Sequence, residues 1–381
     1  MKIRDWYKDN WEHRLEGRYI SLEMILPILD AYKDKFEISY IGISEEDRTI
    51  PLIRIGTGKK VILAWSQMHG NESTTTKALF DLFKFLNDPS IYQDKIVDFL
   101  NEFSLLVIPM LNPDGSQYYT RENANKVDLN RDFQDLSQRE SRYLRSVFKE
   151  VQPVMCLNMH DQRTIYGADF GKPATISFLA PAADIDRNIT TARKNAMEKI
   201  VRMARGLENL IPGQIGRYDD RFNANCVGDS FQMEGVPTIL FEAGHFPDDY
   251  QREKTRELVF YSLLTLFGIL GPGDKDLGSE EYFWLPENTT NFRDLILRNA
   301  ILPLHENAVD ISIQYMETLS EGNIKFVPYV DAIGLLSELY GHMEIDLNFS
   351  KILTNSQESL TVGVKVPKLY DKNEKSISLF K

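Results

Sequence analysis

The chain has 381 residues, of which 43% are hydrophobic and 11% aromatic, and its net charge at pH 7 is −12. This length predicts one large domain or two smaller ones, and the acidic excess argues against nucleic acid or an anionic membrane as the main partner. No run of about 18 apolar residues is present, so we expect no membrane span. The charged N-terminal segment predicts no secretory signal. Two cysteines in a chain of this length favour a reducing compartment, and so a cytoplasmic location.

The first predicted elements are a helix and a hairpin. Residues 21–35 mix apolar and charged positions at helical spacing, whereas apolar residues alternate with polar ones over residues 36–56. Two alternating stretches around the acidic turn at residues 45–47 are typical of a β-hairpin.

Beyond the hairpin, apolar runs alternate with stretches of helical periodicity. The runs predict buried strands at residues 61–66, 105–109, 154–159, 175–180 and 238–241. The helical spacing predicts helices over residues 74–86, from a capping box at Ser137 and Glu140 to about residue 150, over 187–208 and over 250–269. A turn is expected at residues 112–115. This alternation indicates an α/β sheet covered by helices on both faces.

A change in composition marks a boundary near residues 271–291, where Gly, Pro, Asp and Asn accumulate. After it we expect strands at residues 295–297, 309–313 and 360–366, with one helix near 331–340. The sequence therefore predicts a catalytic domain over residues 1–272 and a small β-rich domain over residues 290–381.

Three chemically active residues follow predicted strands directly: His69, His160 and Glu242. Ligand sites in α/β sheets collect where strands end in loops, so these side chains are expected to converge. His69, Glu72 and His160 form a two-His-one-Glu set, the kind that binds catalytic zinc and leaves a position for water. Taken alone, His-x-x-Glu also fits a loop histidine followed by a glutamate favoured at a helix start.

The segment before Phe133 carries candidates for recognising a substrate. An arginine fork and an adjacent amide, as in Asn130 and Arg131, can bind a carboxylate through parallel hydrogen bonds. Asp128 is either a partner that orients His69 or an ordinary turn aspartate. Arg121 is a candidate for stabilising an oxyanion.

Glu242 is the expected general base. A carboxylate at a strand end beside a metal can take a proton from water and pass it to a leaving amine. The alternative is a buried glutamate paired with an arginine, since lone charges are rarely buried.

As an ordered set, these motifs resemble the zinc carboxypeptidase family, peptidase family M14, over about residues 35–270. The resemblance implies a mixed, mostly parallel sheet flanked by helices and hydrolysis of an amide bond beside a free carboxylate. It implies one zinc ion and the following roles: zinc ligands His69, Glu72 and His160; carboxylate binders Asn130 and Arg131; carbonyl polariser Arg121; catalytic glutamate Glu242.

Two departures keep alternatives open. The family's mobile tyrosine has no certain counterpart, because Tyr218 is only close in register, and Arg221, Asn223 or Asp229 could line the pocket instead. The interval from Glu72 to His160 is short, as in the related succinylglutamate desuccinylase and aspartoacylase group. The substrate is therefore a peptide or an acylated amino acid with a free carboxylate. A non-catalytic binding protein on the same fold is a third alternative, and homo-oligomer formation is also left open.

Overall fold

The computed structural model describes residues 2–87, 90–169, 171–271, 278–303, 305–354, 360–370 and 376–379. Within them, the α-helices are α1 (Lys2–Asn10), α2 (Leu22–Asp30), α3 (Thr74–Asn87), α4 (Gln93–Glu102), α5 (Pro113–Tyr118), α6 (Arg139–Val151), α7 (Thr191–Leu207), α8 (Val227–Met233) and α9 (Glu253–Leu266). Short 3-10 helices cover Leu129–Arg131 and Ser279–Trp284.

The strands of the α/β part are β1 (Glu37–Ile43), β2 (Thr49–Ile55), β3 (Lys60–Ser66), β4 (Phe103–Ile108), β5 (Met155–Asp161), β6 (Ile176–Leu179), β7 (Ile215–Arg217) and β8 (Thr238–Ala243). They are followed by β9 (Phe292–Ala300), β10 (Val309–Ser320), β11 (Asn323–Gly334), β12 (Tyr340–Asp346), β13 (Leu353–Thr354), β14 (Leu369–Tyr370) and β15 (Ser376–Ile377).

Eight of these strands form one sheet in the order β1-β2-β4-β3-β5-β8-β6-β7. The pairs β3–β4, β3–β5, β5–β8 and β6–β7 are parallel, whereas β1–β2, β2–β4 and β6–β8 are antiparallel. The central strands are buried along nearly their whole length, which is why their sequences are continuous apolar runs. The predicted α/β fold with a mixed, mostly parallel sheet is confirmed.

Helices cover both faces of this sheet. On one face α3, α7 and α9 bury side chains such as Phe80, Met197 and Phe260 in the larger apolar cluster. On the other face α6 and α8 contribute Leu144 and Phe231 to a second cluster. Burying an apolar stripe of each helix against the sheet stabilises both elements and holds the strand ends in place.

The C-terminal region forms two further sheets. One has the order β11-β10-β9-β12, and the other joins β13, β14 and β15. Apolar residues of β9 and β10, including Leu295, Leu297 and Ile311, share a separate cluster with Leu369. The β-rich character predicted for this region is confirmed, while the division into domains at residues 1–272 and 290–381 stays a prediction.

Three local predictions are wrong. The helix expected near 331–340 is absent from the described residues, because β11 continues to Gly334 in antiparallel pairing with β10. The strand expected at 360–366 contains a turn at Gly363, whose φ of 82° breaks the extended backbone. The capping box is also wrong, because the hydroxyl of Ser137 donates to Asp132 at 2.6 Å and Gln138 precedes the helix.

Other differences concern the extent of elements. The turn expected at residues 112–115 is the start of α5, where the side chain of Asn112 accepts a hydrogen bond from the Gly115 N–H at 2.8 Å. The helix expected over 187–208 begins at Thr191, where the Thr190 hydroxyl accepts from the Arg193 N–H. Among the described helices, none combines the length and apolarity needed to cross a membrane.

Candidate metal centre and cleft

His69 and Glu72 lie in the turn between β3 and α3. The turn is closed by a hydrogen bond from the Glu72 N–H to the His69 carbonyl at 3.1 Å. Gly70 is required here because a Cβ at this position would lie 1.9 Å from the carbonyl carbon of Gly115. Because these two backbones approach closely, the turn packs against the start of α5. The side chains of His69 and Glu72 then lie next to His160 on β5.

His160 on β5 completes a cluster with His69 and Glu72. One ligand atom from each of the three residues lies within 4.8 Å of the others. The Nδ1 of His69 is 2.9 Å from Glu72 Oε1, the Nδ1 of His160 is 2.9 Å from Glu72 Oε2, and the two Nδ1 atoms are 3.0 Å apart. The predicted convergence of these three side chains is therefore what the structure shows.

The chemistry of this cluster fits a divalent cation. Two imidazole nitrogens and a carboxylate lie close together at this point. All three side chains are buried, since His69 and His160 are 2% exposed and Glu72 is 9% exposed. Such a buried donor set is stable when a cation or shared protons neutralise it, and two His with one Glu is a set that zinc takes. Burial alone would raise the pKa of Glu72, but the adjacent His69 and His160 outweigh it and lower that pKa.

Asp128 orients His69 from behind. The Nε2 of His69 lies 3.0 Å from Asp128 Oδ1, so the ring nitrogen that faces away from the cluster has a carboxylate partner, as metal-binding histidines usually do. The same oxygen accepts a hydrogen bond from the Asn130 N–H at 2.9 Å. Asp128 thus contacts both the ring of His69 and the short helix Leu129–Arg131, which carries Asn130.

Arg121 lies directly beside the cluster. Its Nε and Nη2 donate to Asp128 Oδ2 at 3.1 and 3.0 Å, and its Nη1 is 3.2 Å from His69 Nδ1 and 3.4 Å from Glu72 Oε1. A guanidinium in this position supplies positive charge next to the ligand atoms, where an oxyanion would form.

Glu242 on β8 faces the same site. β5 and β8 are parallel neighbours in which His160 and Glu242 are register partners. Leu240 and Glu242 line the cleft, whereas the intervening Phe241 is in the apolar cluster, as the alternation of a strand requires. Burial first, and then repulsion from the carboxylates of Glu72 and Asp161, raise the pKa of Glu242 well above its ordinary value.

One cleft of about 720 Å³ is lined by His69, Glu72, Arg121, His160 and Glu242, together with Asn130 and Arg131. The amide oxygen of Asn130 accepts from the Val227 N–H at 3.2 Å, which anchors the short helix to α8. The guanidinium of Arg131 is exposed and donates to the Asn130 carbonyl at 2.9 Å. Within the described part of the chain it forms no ion pair with a carboxylate, so its remaining donors can receive an anionic ligand.

Comparison with known proteins relates part of the chain to a family. The zinc carboxypeptidase model, Peptidase_M14, matches residues 23–149. Over those residues the chain resembles the zinc carboxypeptidase family. The resemblance inferred from His69, Glu72, Asn130 and Arg131 is thereby confirmed.

Curated relatives agree with the zinc carboxypeptidase assignment over part of their length. Carboxypeptidase 2 of Trichophyton tonsurans is 30% identical over 149 residues, which are 36% of this chain and 27% of that protein. Carboxypeptidase E of Caenorhabditis elegans is 34% identical over 134 residues, which are 30% of this chain and 27% of that protein. The matched regions thus span 27% of each relative's own length.

Solved structures show the carboxypeptidase fold. A metallo-carboxypeptidase from Burkholderia cenocepacia aligns with a TM-score of 0.53 at 16% identity, covering 66% of this chain and 69% of that one. Bovine thrombin-activatable fibrinolysis inhibitor, in complex with tick carboxypeptidase inhibitor, aligns with a TM-score of 0.54 at 14% identity, covering 66% of this chain and 96% of that one. The expected zinc carboxypeptidase-like sheet is therefore confirmed as a fold.

The segment that leads into α8 contains Tyr218 and the other residues that the sequence analysis offered for the pocket wall. The hydroxyl of Tyr218 is 3.0 Å from that of Tyr166 at the cleft wall. Arg221 is exposed and paired with Asp219. Asp229 is buried in the wall, accepts from the Asn223 N–H at 3.1 Å, and burial raises its pKa to about 6. The cleft is lined by all four candidates that the sequence analysis named: Tyr218, Arg221, Asn223 and, on α8, Asp229.

The sequence analysis missed several cleft residues. Asn158 is 2% exposed on β5, two positions before His160, so a polar residue in an apolar strand on the same face was an available signal. Gln162 is the first residue after β5, and its side-chain oxygen accepts from the Asn288 amide at 2.7 Å. Tyr166 and Asn288 come from a loop and from the connection to the C-terminal region, where no local pattern indicated a site.

Proposed function

We propose that this protein is a zinc-dependent metallocarboxypeptidase that hydrolyses an amide bond next to a free C-terminal carboxylate. The support comes from one cleft in which a two-His-one-Glu cluster, a non-ligand glutamate and an exposed arginine lie together. The single observation that carries the proposal is the register pairing of His160 with Glu242, which sets a potential base beside the cluster.

Each residue has a separate task in this proposal. Zinc held by His69, Glu72 and His160 would supply a Lewis acid that activates water and polarises the substrate carbonyl. Arg131 and Asn130 bind the substrate carboxylate, and that contact places the last amide bond of the substrate at the cluster. This positioning explains why a free carboxylate is needed.

Glu242 and Arg121 perform the remaining steps. Glu242 accepts a proton from the attacking water and passes it to the leaving nitrogen, while the guanidinium of Arg121 stabilises the charge on the carbonyl oxygen. Glu242 must be ionised to accept this proton. Burial and then repulsion from Glu72 raise the pKa of Glu242, and a cation held by the cluster would offset that repulsion. Asp128 keeps the His69 ring in the orientation that directs Nδ1 into the cluster.

The test is the substitution Glu242→Gln, which removes the basic oxygen and preserves shape. We expect the variant to bind zinc with the same stoichiometry, measured by atomic absorption, and to lose turnover of C-terminal peptide substrates by more than about a thousandfold. Glu208→Gln at the exposed end of α7 is the matched control and should keep full activity. Activity of Glu242→Gln within about tenfold of the parent enzyme would show that the base is a different residue.

A cytoplasmic location is a further part of the proposal. Cys156 and Cys226 are both free in the structure, which suits a reducing compartment. Fractionation of the cells that make the protein tests this, and recovery from an oxidising compartment would contradict it.

A further inference from the structure

A second cavity of about 310 Å³ adjoins the cleft. Glu72, Asp161, Gln162 and Arg163 line both spaces. Asn130 and Arg131 line only the cleft, whereas residues of β10 line only the second cavity. The cluster therefore lies between the carboxylate-binding arginine on one side and the C-terminal sheet on the other.

One wall of this cavity is formed by the α/β part of the protein and contains buried charged groups that lack hydrogen-bond partners. Arg18 is 5% exposed, Asp161 is 8% exposed and Arg252 is 1% exposed. Within the described part of the chain, Arg18 Nε, Arg252 Nε and Asp161 Oδ1 have no hydrogen-bond partner. Leaving such atoms unpaired is costly in a folded protein, so groups of this kind mark a place where a polar ligand binds.

The rest of each side chain is held firmly. The Nη1 and Nη2 of Arg252 donate to the carbonyls of Ala243 and Gln162 at 2.5 and 2.9 Å. The other carboxylate oxygen of Asp161 accepts from the N–H and hydroxyl of Thr74 at 3.1 and 2.5 Å. The free atoms are thus presented in fixed directions, which lowers the entropic cost of binding a ligand.

Strand β10 supplies the opposite wall. Glu317 accepts a hydrogen bond from the Tyr119 hydroxyl and lies 3.0 Å from Arg18 Nη1. Gln314 donates to the Thr164 hydroxyl at 2.7 Å and to Asp294, and its Oε1 has no partner among the described residues. The C-terminal sheet therefore adds a hydrogen-bond acceptor to the cavity.

We propose that this cavity binds the amino-terminal end of a short peptide substrate, with Asp161 and Gln314 accepting hydrogen bonds from its α-ammonium group and Arg18 and Arg252 donating to its backbone carbonyl. The proposal rests on the proposed carboxypeptidase function, because Arg131 must hold the other end of the same peptide. It gives the C-terminal sheet a part in substrate selection, because Gln314 lies on β10.

One carboxylate in the cavity is available to an amine at this end of the substrate. The charged lining residues, besides Glu72 of the cluster, are Asp161, Asp294, Glu317, Arg18, Arg163 and Arg252, and Arg18 is already paired with Glu317. Asp161 has no ion pair with a Lys or Arg of the described residues, so it can accept a cation. An N-terminal acyl group ending in a carboxylate would place like charges together, which costs binding energy.

The experiment compares three substrate series: dipeptides with a free amino end, the same dipeptides N-acetylated, and N-succinyl amino acids. We expect kcat/KM to be higher by about tenfold or more for the free-amino series, because a charge-assisted hydrogen bond is lost on acetylation. Asp161→Asn and Gln314→Ala should each shrink that advantage to about threefold or less. Thr318→Ala, at an exposed position of β10, is the matched control. Equal hydrolysis of the three series, or an unchanged advantage in both variants, overturns the proposal.

A binding measurement separates this inference from the proposed reaction. Calorimetric titration of Glu242→Gln with free-amino dipeptides and with their N-acetyl forms reports on the cavity without turnover. Tighter binding of the free-amino forms by about tenfold supports the cavity even if the wild-type enzyme hydrolyses neither series. Equal affinity for both forms in Glu242→Gln rejects the cavity assignment even if the wild-type protein is a carboxypeptidase. Zinc content and circular dichroism of Asp161→Asn exclude loss of the metal or the fold as the cause.

Discussion

Arg256 on α9 holds the N-terminal segment against the α/β part, and replacing it tests how much this anchor contributes. Its Nε and Nη2 donate to the two carboxylate oxygens of Asp81 at 2.7 and 2.6 Å. Its Nη1 donates to the Leu15 carbonyl at 2.5 Å and its Nη2 to the Glu12 carbonyl at 3.0 Å. The guanidinium carbon also lies 4.7 Å from the centre of the Trp11 ring. Both charged side chains of the pair are fully buried.

The substitution Arg256→Met keeps a long apolar side chain but removes every donor. Asp81 would then retain only the Tyr7 hydroxyl at 2.9 Å and the Glu12 N–H at 2.8 Å as partners for a buried charge. Removing one partner of a buried ion pair costs about 3–5 kcal/mol. We therefore expect the free energy of unfolding to fall by about 4 kcal/mol.

Urea unfolding followed by tryptophan fluorescence measures this loss, because Trp6 and Trp11 lie in the segment that Arg256 holds. Arg4→Met on the exposed face of α1 is the control and should change stability by no more than about 0.5 kcal/mol. The double variant Arg256→Met with Asp81→Leu should recover part of the loss, since it removes the stranded carboxylate. A loss below about 1 kcal/mol in Arg256→Met would refute the reasoning.

Three further outcomes are expected. Asp128→Asn should weaken zinc binding about 10–100-fold in competition with a chelator, because His69 loses its carboxylate partner; unchanged affinity excludes that role. Arg131→Ala should lower kcat/KM about tenfold or more for peptides with a free terminal carboxylate, and equal losses on terminal methyl esters contradict carboxylate recognition. Burial lowers the pKa of His342 to about 4, so only the unfolded chain is protonated as the pH falls below about 6.5. When the pH is lowered from about 7.5 to about 5, the free energy of unfolding of the wild type should fall about 2 kcal/mol more than that of His342→Gln. An equal decrease in the two proteins would contradict this expectation.

The placement of the metal cluster was predictable because His69 and His160 come after largely apolar, buried stretches of β3 and β5. Such strands are buried in parallel pairing, and their carboxyl ends must meet at one edge of the sheet. Glu242 follows the same rule on β8. The expectation for Asn130 and Arg131 came from the chemistry of an arginine fork beside an amide and from the family resemblance, and the structure brings both into the cleft with the cluster.

The parts that escaped prediction depend on contacts between distant segments. Tyr166 and Asn288 reach the cleft from a loop and a connection that have no periodicity of their own. The supposed helix near 331–340 is replaced by the end of β11, where pairing with β10 overrides local preference. The second cavity needs Arg18 from the N-terminal segment and Gln314 from β10, and no spacing in the sequence relates these two positions.

The pairing of His160 with Glu242 on adjacent strands has a consequence for how the proposed activity of this protein can be altered. The ladder of backbone hydrogen bonds between β5 and β8 fixes the separation of these two residues, whereas the segment of residues 219–225 is a loop outside that ladder. Grafting a different sequence into that segment should therefore change which terminal side chain is accepted while the proton-transfer geometry is inherited unchanged. The sequence of this loop can therefore vary, while the strands β5 and β8 that carry His160 and Glu242 must stay constant.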